Sequence, residues 1–343
     1  MTGVQLTIQT EPWLAHLQSM VANRPGLVPV IKGNGYGFGV ARLAARAQEL
    51  GVSTIAVGSL AEARTALAEF AGDVVVMLPF FAADPQAEVA RDPRVIVTVA
   101  HLDQLTALAE QGTGARVIAE VMTSMCRHGF PVADLARVAE VAAGVDLRGW
   151  TVHLPTAANN LDEARSLARA AQQAAAAPVW FSHVTDAEHD QLRAEFGPET
   201  RLRRGTDLWL GRRDALRTTA TVLDVHKVVR GQRVGYHRRP VPGDGWVVVV
   251  AGGTAHGIGL EAPSTNRSLR DRAKTLALGA LNAAGRARSP FEIDGVKRDF
   301  IEPPHMQSSL VFLPAQASAP AIGAEVPVTV RNTTATFDEV RHR

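Results

Sequence analysis

Cysteine is almost missing from this chain. Cys126 stands alone, so no internal disulfide can form, and the composition points to a reducing, cytoplasmic setting. Long apolar runs are missing too. None approaches the ~20 residues of a membrane-spanning helix, and mean hydropathy is +0.01. Charge of one sign is not in excess: 36 Lys and Arg against 34 Asp and Glu leave +2. The densest basic clusters, at 201–204 and 212–213, therefore read as solvated surface, and neither nucleic acid nor a membrane is an expected partner. The first residues carry no basic flank and no apolar stretch, so no secretory leader is expected. The spacing of His256, His305 and Cys126 matches no ligand motif, so no metal is expected.

What is present is a repeated alternation. Short β-branched runs at 28–31, 54–57, 74–78, 95–99, 116–121, 149–154, 178–182 and 200–203 read as eight strands. Amphipathic stretches at 40–50, 60–70, 102–111, 132–143, 161–175 and 187–196 read as helices between them. Continuous apolar strands alternating with helices imply an α/β fold with a parallel sheet covered on its outer face. Eight repeats suggest an eight-stranded parallel β/α (TIM-like) barrel, with an open doubly wound sheet as the competing arrangement. From about residue 218 the pattern changes to strands at 219–229, 233–237, 245–250, 291–293, 308–313 and 325–330, separated by Gly/Pro turns. One helical stretch, 268–287, interrupts them. The expected organisation is a barrel domain over 1–217 and a C-terminal mostly-β domain over 218–343.

The polar residues at strand ends carry the chemistry. Lys32 directly follows the first strand and opens a glycine-rich segment. Strand C-termini form the active face of a barrel, where walls desolvate an amine and make it a competent nucleophile. Taken alone, it reads rather as a surface lysine in a glycine loop. Arg127 follows the fifth strand, His153 ends the sixth, Thr185 follows the seventh and Arg203 ends the eighth, so all project toward one mouth.

These residues carry a family resemblance. Val30-Ile31-Lys32-Gly33-Asn34-Gly35-Tyr36-Gly37-Phe38-Gly39 resembles the pyridoxal-phosphate motif of alanine racemases. Thr123-Ser124-Met125-Cys126-Arg127-His128-Gly129-Phe130, then Val152-His153-Leu154-Pro155-Thr156-Ala157, then Arg203-Arg204-Gly205 with Asp207-Leu208-Trp209, resemble later blocks in family order. Gly231-Gln232-Arg233-Val234-Gly235-Tyr236 resembles the strand of the catalytic tyrosine, and Pro304-His305-Met306-Gln307 the methionine-bearing turn.

The resemblance implies a pyridoxal 5'-phosphate enzyme that inverts an amino acid, most simply alanine, as a homodimer with shared active sites. Lys32 would bond the cofactor and act as one acid/base. Tyr236, from the partner subunit, would act as the other. Tyr36, Thr185, Gly205 and Thr206 would hold the phosphate. Arg203 would face the pyridine nitrogen, leaving it unprotonated and favouring racemisation over decarboxylation, provided that position 203 rather than 204 is the one in register. Arg127 would meet the substrate carboxylate, and Met306 would line the substrate side. His153 would link Arg203 to the tyrosine, and a buried His153–Arg203 cation pathway would stabilise the phenolate. The chain has only two tyrosines, Tyr36 and Tyr236, and both fall where the family needs one.

There are departures from the pattern. Glu120 stands where many alanine racemases carry a lysine, often carbamylated, and would supply a negative charge near Arg127 unmodified. Gly253-Thr254-Ala255-His256-Gly257 replaces a Gly-Tyr-Ala-Asp-Gly segment, Gln307 replaces an aspartate, and a further C-terminal tyrosine has no counterpart. The 268–287 stretch is also longer than expected. These changes bear on substrate access, so the amino acid is less fixed than the reaction. A lyase or decarboxylase on the same barrel, and a non-catalytic pyridoxal-phosphate-binding homologue, remain as alternatives.

Overall fold

The computed structural model describes residues 2–156, 159–260 and 287–343, with Ala273, Thr275, Leu276 and Gly279 between them. The helix expected over 268–287 falls almost wholly outside the described residues. Two compact units emerge: Leu14–Gly211, and Met1–Trp13 together with Arg212–Arg343.

The first unit is a closed parallel barrel, not an open sheet. Its strands are β2 (Leu27–Ile31), β3 (Thr54–Val57), β4 (Asp73–Pro79), β5 (Val95–Val99), β6 (Arg116–Val121), β7 (Asp146–His153), β8 (Val179–Ser182) and β9 (Arg201–Arg204), numbered after β1 (Val4–Ile8). Closure is made by β9 pairing in parallel with β2, Val28 opposite Arg203. The helices are α1 (Thr10–Ala22), α2 (Val40–Glu49), α3 (Leu60–Leu67), α4 (Leu102–Glu110), α5 (Leu135–Ala142), α6 (Leu161–Ala174), α7 (Asp186–Phe196) and the short α8 (Thr206–Leu210). Between β4 and β5 the connection is a 3-10 turn, Ala87–Arg91, where the sequence shows no amphipathic stretch.

Strands β2, β3, β5 and β8 are buried along their whole length, because helices cover one face and the barrel interior the other. The interior is filled by Val28, Val30, Ala56, Val75, Ile96, Ile118 and Trp180, with Met77 against them. Side chains alternate faces along a strand. The inward series Val28, Val30 therefore leads to Lys32, Ile118 leads to Glu120, and Trp180 leads to Ser182. The apolar filling thus gives way to polar groups at one end of the barrel.

The second unit is a largely antiparallel sheet built on the long strand β10 (Leu216–Val228). The short β11 (Arg233–Val234) and β12 (Arg239–Pro240) form a separate hairpin. Then come β13 (Gly245–Ala251), β14 (Arg288–Ile293), β15 (Val296–Phe300), β16 (Ser308–Pro314), β17 (Glu325–Pro327) and β18 (Glu339–His342). Their order is β14-β15-β16-β13-β10-β1-β18, with β17 also on β10. The core combines Val4, Val222, Val248, Val250, Phe291, Val311 and Leu313. The expected boundary at 217/218 differs from the one found. Strand β1 pairs antiparallel with β10 and parallel with β18, which draws the first residues into this unit.

Candidate active site

The carboxyl end of the barrel gathers Lys32, Arg127, His153, Arg203 and Glu120. Lys32 is open to solvent there, yet its ammonium is disfavoured. Burial by the surrounding walls lowers its pKa most, and the charges of Arg127 and Arg203 lower it further, against a smaller opposing effect of Glu62.

Arg203 is buried, 7% exposed, and burial brings its pKa down to about 10 despite the attraction of Glu120. One of its terminal nitrogens lies 3.4 Å from His153 Nδ1, while its Nε has no hydrogen-bond partner among the described residues. The neighbouring arginine is engaged differently. Arg204 binds Asp207 at 2.8 Å, Asp186 at 2.9 Å and the Val184 carbonyl at 2.9 Å. Neighbours along β9 thus face opposite ways, Arg203 toward His153 and Arg204 toward Asp186 and Asp207.

His153 corrects one expectation. Its pKa is pushed down to about 2, chiefly by burial and then by Arg203, Arg127, His183 and Lys32. The ring is neutral at pH 7, so the cationic pathway expected of His153 and Arg203 reduces to the charge of Arg203 alone. Ser182 Oγ lies 2.7 Å from Nδ1. A guanidinium can only donate, so Nδ1 is the acceptor and Nε2 carries the hydrogen.

Glu120 is 3% exposed, with Oε1 3.9 Å from Arg127. Burial raises its pKa, and Arg203 and Arg127 pull against that rise. Arg127 sits in a loop whose ends are pinned by Met122 N–H to the Phe130 carbonyl at 2.9 Å and Phe130 N–H to the Glu120 carbonyl at 2.8 Å. Glu163 holds the near side through Ser124 N–H at 2.6 Å and its hydroxyl at 2.8 Å.

Tyr36 is 4% exposed with φ of +55°, a left-handed conformation that only a tightly fixed loop imposes on a non-glycine residue. A Cβ on Gly205 would come to 2.0 Å from the Tyr36 hydroxyl oxygen, so only glycine admits the phenol there. Burial pushes the Tyr36 pKa up to about 12, while a hydrogen bond with Thr206 works the other way. It therefore stays a phenol. Trp209 Nε1 donates to the Val30 carbonyl at 2.9 Å and locks α8 to β2. Thr185 is the N-cap of α7: its hydroxyl oxygen accepts from Glu188 N–H at 3.2 Å in a reciprocal capping box.

In the second unit, Tyr236 and Met306 are 82% and 70% exposed. Tyr236 stands on the turn between β11 and β12. The His256 ring is buried and lies 3.1 Å from Asp338 Oδ2, so it ties this unit together rather than lining an opening. Backbone pairs, Gly252 N–H to the Gln307 carbonyl at 2.8 Å and Ala255 N–H to that of Met306 at 3.1 Å, join the segment of Thr254 to that of Gln307.

Sequence reasoning missed three contributors at the barrel end. Ser182 orients His153. His183, with φ of +59°, sets its ring edge-on to His153 at 5.2 Å between centroids. Glu62 accepts from Gly33 N–H at 3.0 Å and Gly58 N–H at 2.7 Å, and so steadies the segment after Lys32. A signal existed for Glu62: Ser59-x-x-Glu62 reads as a capping box, although its carboxylate turns to the two glycines.

A family model described as Alanine racemase, N-terminal domain, matches residues 13–186. An alanine racemase of Desulforamulus reducens is 32% identical over 152 residues, covering 42% of this chain. The chain spans 41% of that relative's length. Among solved structures, the alanine racemase from D-cycloserine producing Streptomyces lavendulae gives a TM-score of 0.73 at 21% identity, covering 100% of this chain and 97% of that one. The alanine racemase from Bartonella henselae with covalently bound pyridoxal phosphate gives 0.74 at 15% identity, covering 100% of both. At these identities the structural likeness is one of fold.

Proposed function

The chain belongs to the alanine racemase family, and from that membership we propose that it is a pyridoxal-phosphate-dependent amino-acid racemase with alanine as its first candidate substrate. The observation that carries this reading is the convergence on one barrel end of an accessible amine with a lowered pKa, Lys32, and of Arg127, Arg203 and Glu120.

The residues fit the cofactor. Lys32 is an accessible amine with a lowered pKa. Gly205 leaves a cradle beside the Tyr36 hydroxyl that a Cβ would fill, and Thr206 adjoins it. Arg203 Nε is a buried donor still without an acceptor. Lys32 would bond the cofactor, Tyr36, Gly205, Thr206 and Thr185 would hold its phosphate, and Arg203 would face its ring nitrogen. Once bound, pyridoxal phosphate supplies a conjugated ring that makes the Cα proton of an attached amino acid removable.

The chain's own groups do the rest. Lys32 Nζ takes or returns the proton on one face of Cα, helped by its lowered pKa. Tyr236 Oη serves the other face, offered by the second copy in a homodimer. Arg127 binds the substrate carboxylate, with Glu120 restraining it. Arg203, a guanidinium facing the ring nitrogen, would leave that nitrogen unprotonated, which favours inversion over decarboxylation. His153 is a neutral donor at Nε2, held by Ser182. Met306 lines the substrate side. The exposure of Tyr236 and Met306 supports a partner that covers them, and the single cysteine supports a cytoplasmic location.

Incubating the holoenzyme with a panel of L- and D-amino acids in heavy water tests the reading. Deuterium at Cα with inversion is the expected result. Carbon dioxide release without inversion would reject it in favour of a decarboxylase. Bound cofactor without exchange on any amino acid would leave a binding homologue.

A further inference from the structure

Glu302 occupies a place where a carboxylate is costly unless it is used. It is 2% exposed, and its two oxygens take three donors. Tyr236 N–H reaches Oε1 at 3.1 Å, His237 N–H reaches Oε2 at 3.0 Å, and His305 Nε2 lies 2.7 Å from Oε1. Burial pushes the Glu302 pKa up, but the His237 N–H, the His305 ring and the Tyr236 N–H outweigh it and hold the group below the usual carboxylate range. The preceding residue is shaped to admit it. Gly235 has φ of +75°, and a Cβ there would lie 2.3 Å from the Glu302 carboxyl.

The histidine reaches the same tyrosine from its other side. The His305 ring stands 4.4 Å from the Tyr236 ring, centroid to centroid, tilted by 40°. His305 itself is fixed, its N–H on the Ser308 carbonyl at 2.9 Å and its own carbonyl accepting from Thr254 N–H at 2.9 Å. Tyr236 is otherwise 82% exposed at the tip of a two-stranded hairpin, with little else to choose its direction.

We propose that Glu302 and His305 are positioning residues for Tyr236, the carboxylate fixing the turn backbone and the imidazole forming a wall for the phenol ring. This rests on the reading of Tyr236 as a proton carrier. A phenol that must meet a Cα proton gains rate from being held in one orientation before substrate arrives. Glu302 does this without touching the ring, and His305 couples the two contacts because one imidazole serves both.

The chain's two tyrosines make the test direct. Holoenzyme labelled with 3-fluorotyrosine gives two fluorine signals, and Tyr236→Phe identifies one of them. Glu302→Gln keeps the volume but turns one acceptor into a donor facing N–H groups. His305→Ala removes the wall, and His305→Phe restores its face without the bond to Glu302. The expected result is that Glu302→Gln and His305→Ala shift or broaden only the Tyr236 signal. Each should lower kcat for inversion about ten- to hundredfold with KM within about threefold. His305→Phe should recover part of the signal position and part of kcat. A Tyr236 signal unmoved in every variant would overturn the proposal, and so would a moved signal with unchanged kcat. If Glu302→Gln does not fold, the two His305 variants decide by the same criteria. If the unsubstituted chain inverts no amino acid, the racemase reading fails by itself, and the fluorine signals alone judge the support.

Discussion

The Tyr36 hydroxyl occupies the space that a side chain at position 205 would need, 2.0 Å from where a Cβ would stand. Gly205→Ala must therefore displace a buried phenol. The expected outcome is a loss of pyridoxal phosphate affinity of about tenfold or more, equivalent to about 1.4 kcal/mol or more. Absorbance titration of the stripped protein checks it, with Tyr36→Phe as the companion that keeps the ring and removes the hydroxyl.

Only four lysines occur in the chain, and Lys32 alone lies within residues 14–211. Borohydride reduction of the cofactor-loaded protein should add pyridoxyl phosphate to the peptide containing position 32. Lys32→Ala should abolish that adduct. Because burial, Arg127 and Arg203 lower its pKa, the adduct should persist as pH falls well below the ordinary lysine value of about 10.4. Peptide mapping across a pH series reads both outcomes.

Glu120 is a buried anion whose pKa is raised, so its ionised form costs stability despite Arg203 and Arg127. The folded state then holds its proton to higher pH than the unfolded state. Stability from this group falls as pH rises from about 4.3, the ordinary glutamate value, through the folded pKa. Glu120→Gln removes that slope and should leave Tm at pH 7 unchanged or raised. The same change frees Arg127, so KM for the amino acid should rise about three- to tenfold. Thermal melts and initial rates, taken together, separate the two effects.

His153 behaves in the opposite sense. Its folded pKa of about 2 lies below the unfolded value of about 6.5, so between those limits the unfolded chain binds the extra proton. Stability should rise with pH across that window. His183, His128 and His189 share the direction, each lowered first by burial. His153→Asn should reduce the slope of unfolding free energy by up to about 1.4 kcal/mol per pH unit, one proton's worth. Urea unfolding between pH 4 and pH 7, approximately, measures it.

The barrel was legible because most of its strands carry a short apolar, β-branched run, four of them buried along their whole length, and all eight lie within three residues of where the sequence places them. The strand ends carried Lys32, His153 and Arg203 with them. What escaped depends on partners distant in the chain. The alternation Val4-Gln5-Leu6-Thr7-Ile8 is a strand signal, but its allegiance to β10 and β18 is invisible locally. Glu302 precedes two prolines in no periodic pattern, and its purpose appears only when the turn of Tyr236 folds onto it. The charge state of His153 follows from burial, a property of the closed barrel rather than of a residue type.

The placement of β1 between β10 and β18 has a consequence for the order of events at the ribosome. Residues 14–211 contain every strand of the barrel, so that unit has all its parts while downstream codons are still being read. The opening strand must wait unpaired for 216–228 to emerge, and for its other neighbour until 339–342 are made. A nascent chain stalled between those points would carry every strand of the barrel and an unpaired segment at 4–8, a natural grip for a chaperone or a protease.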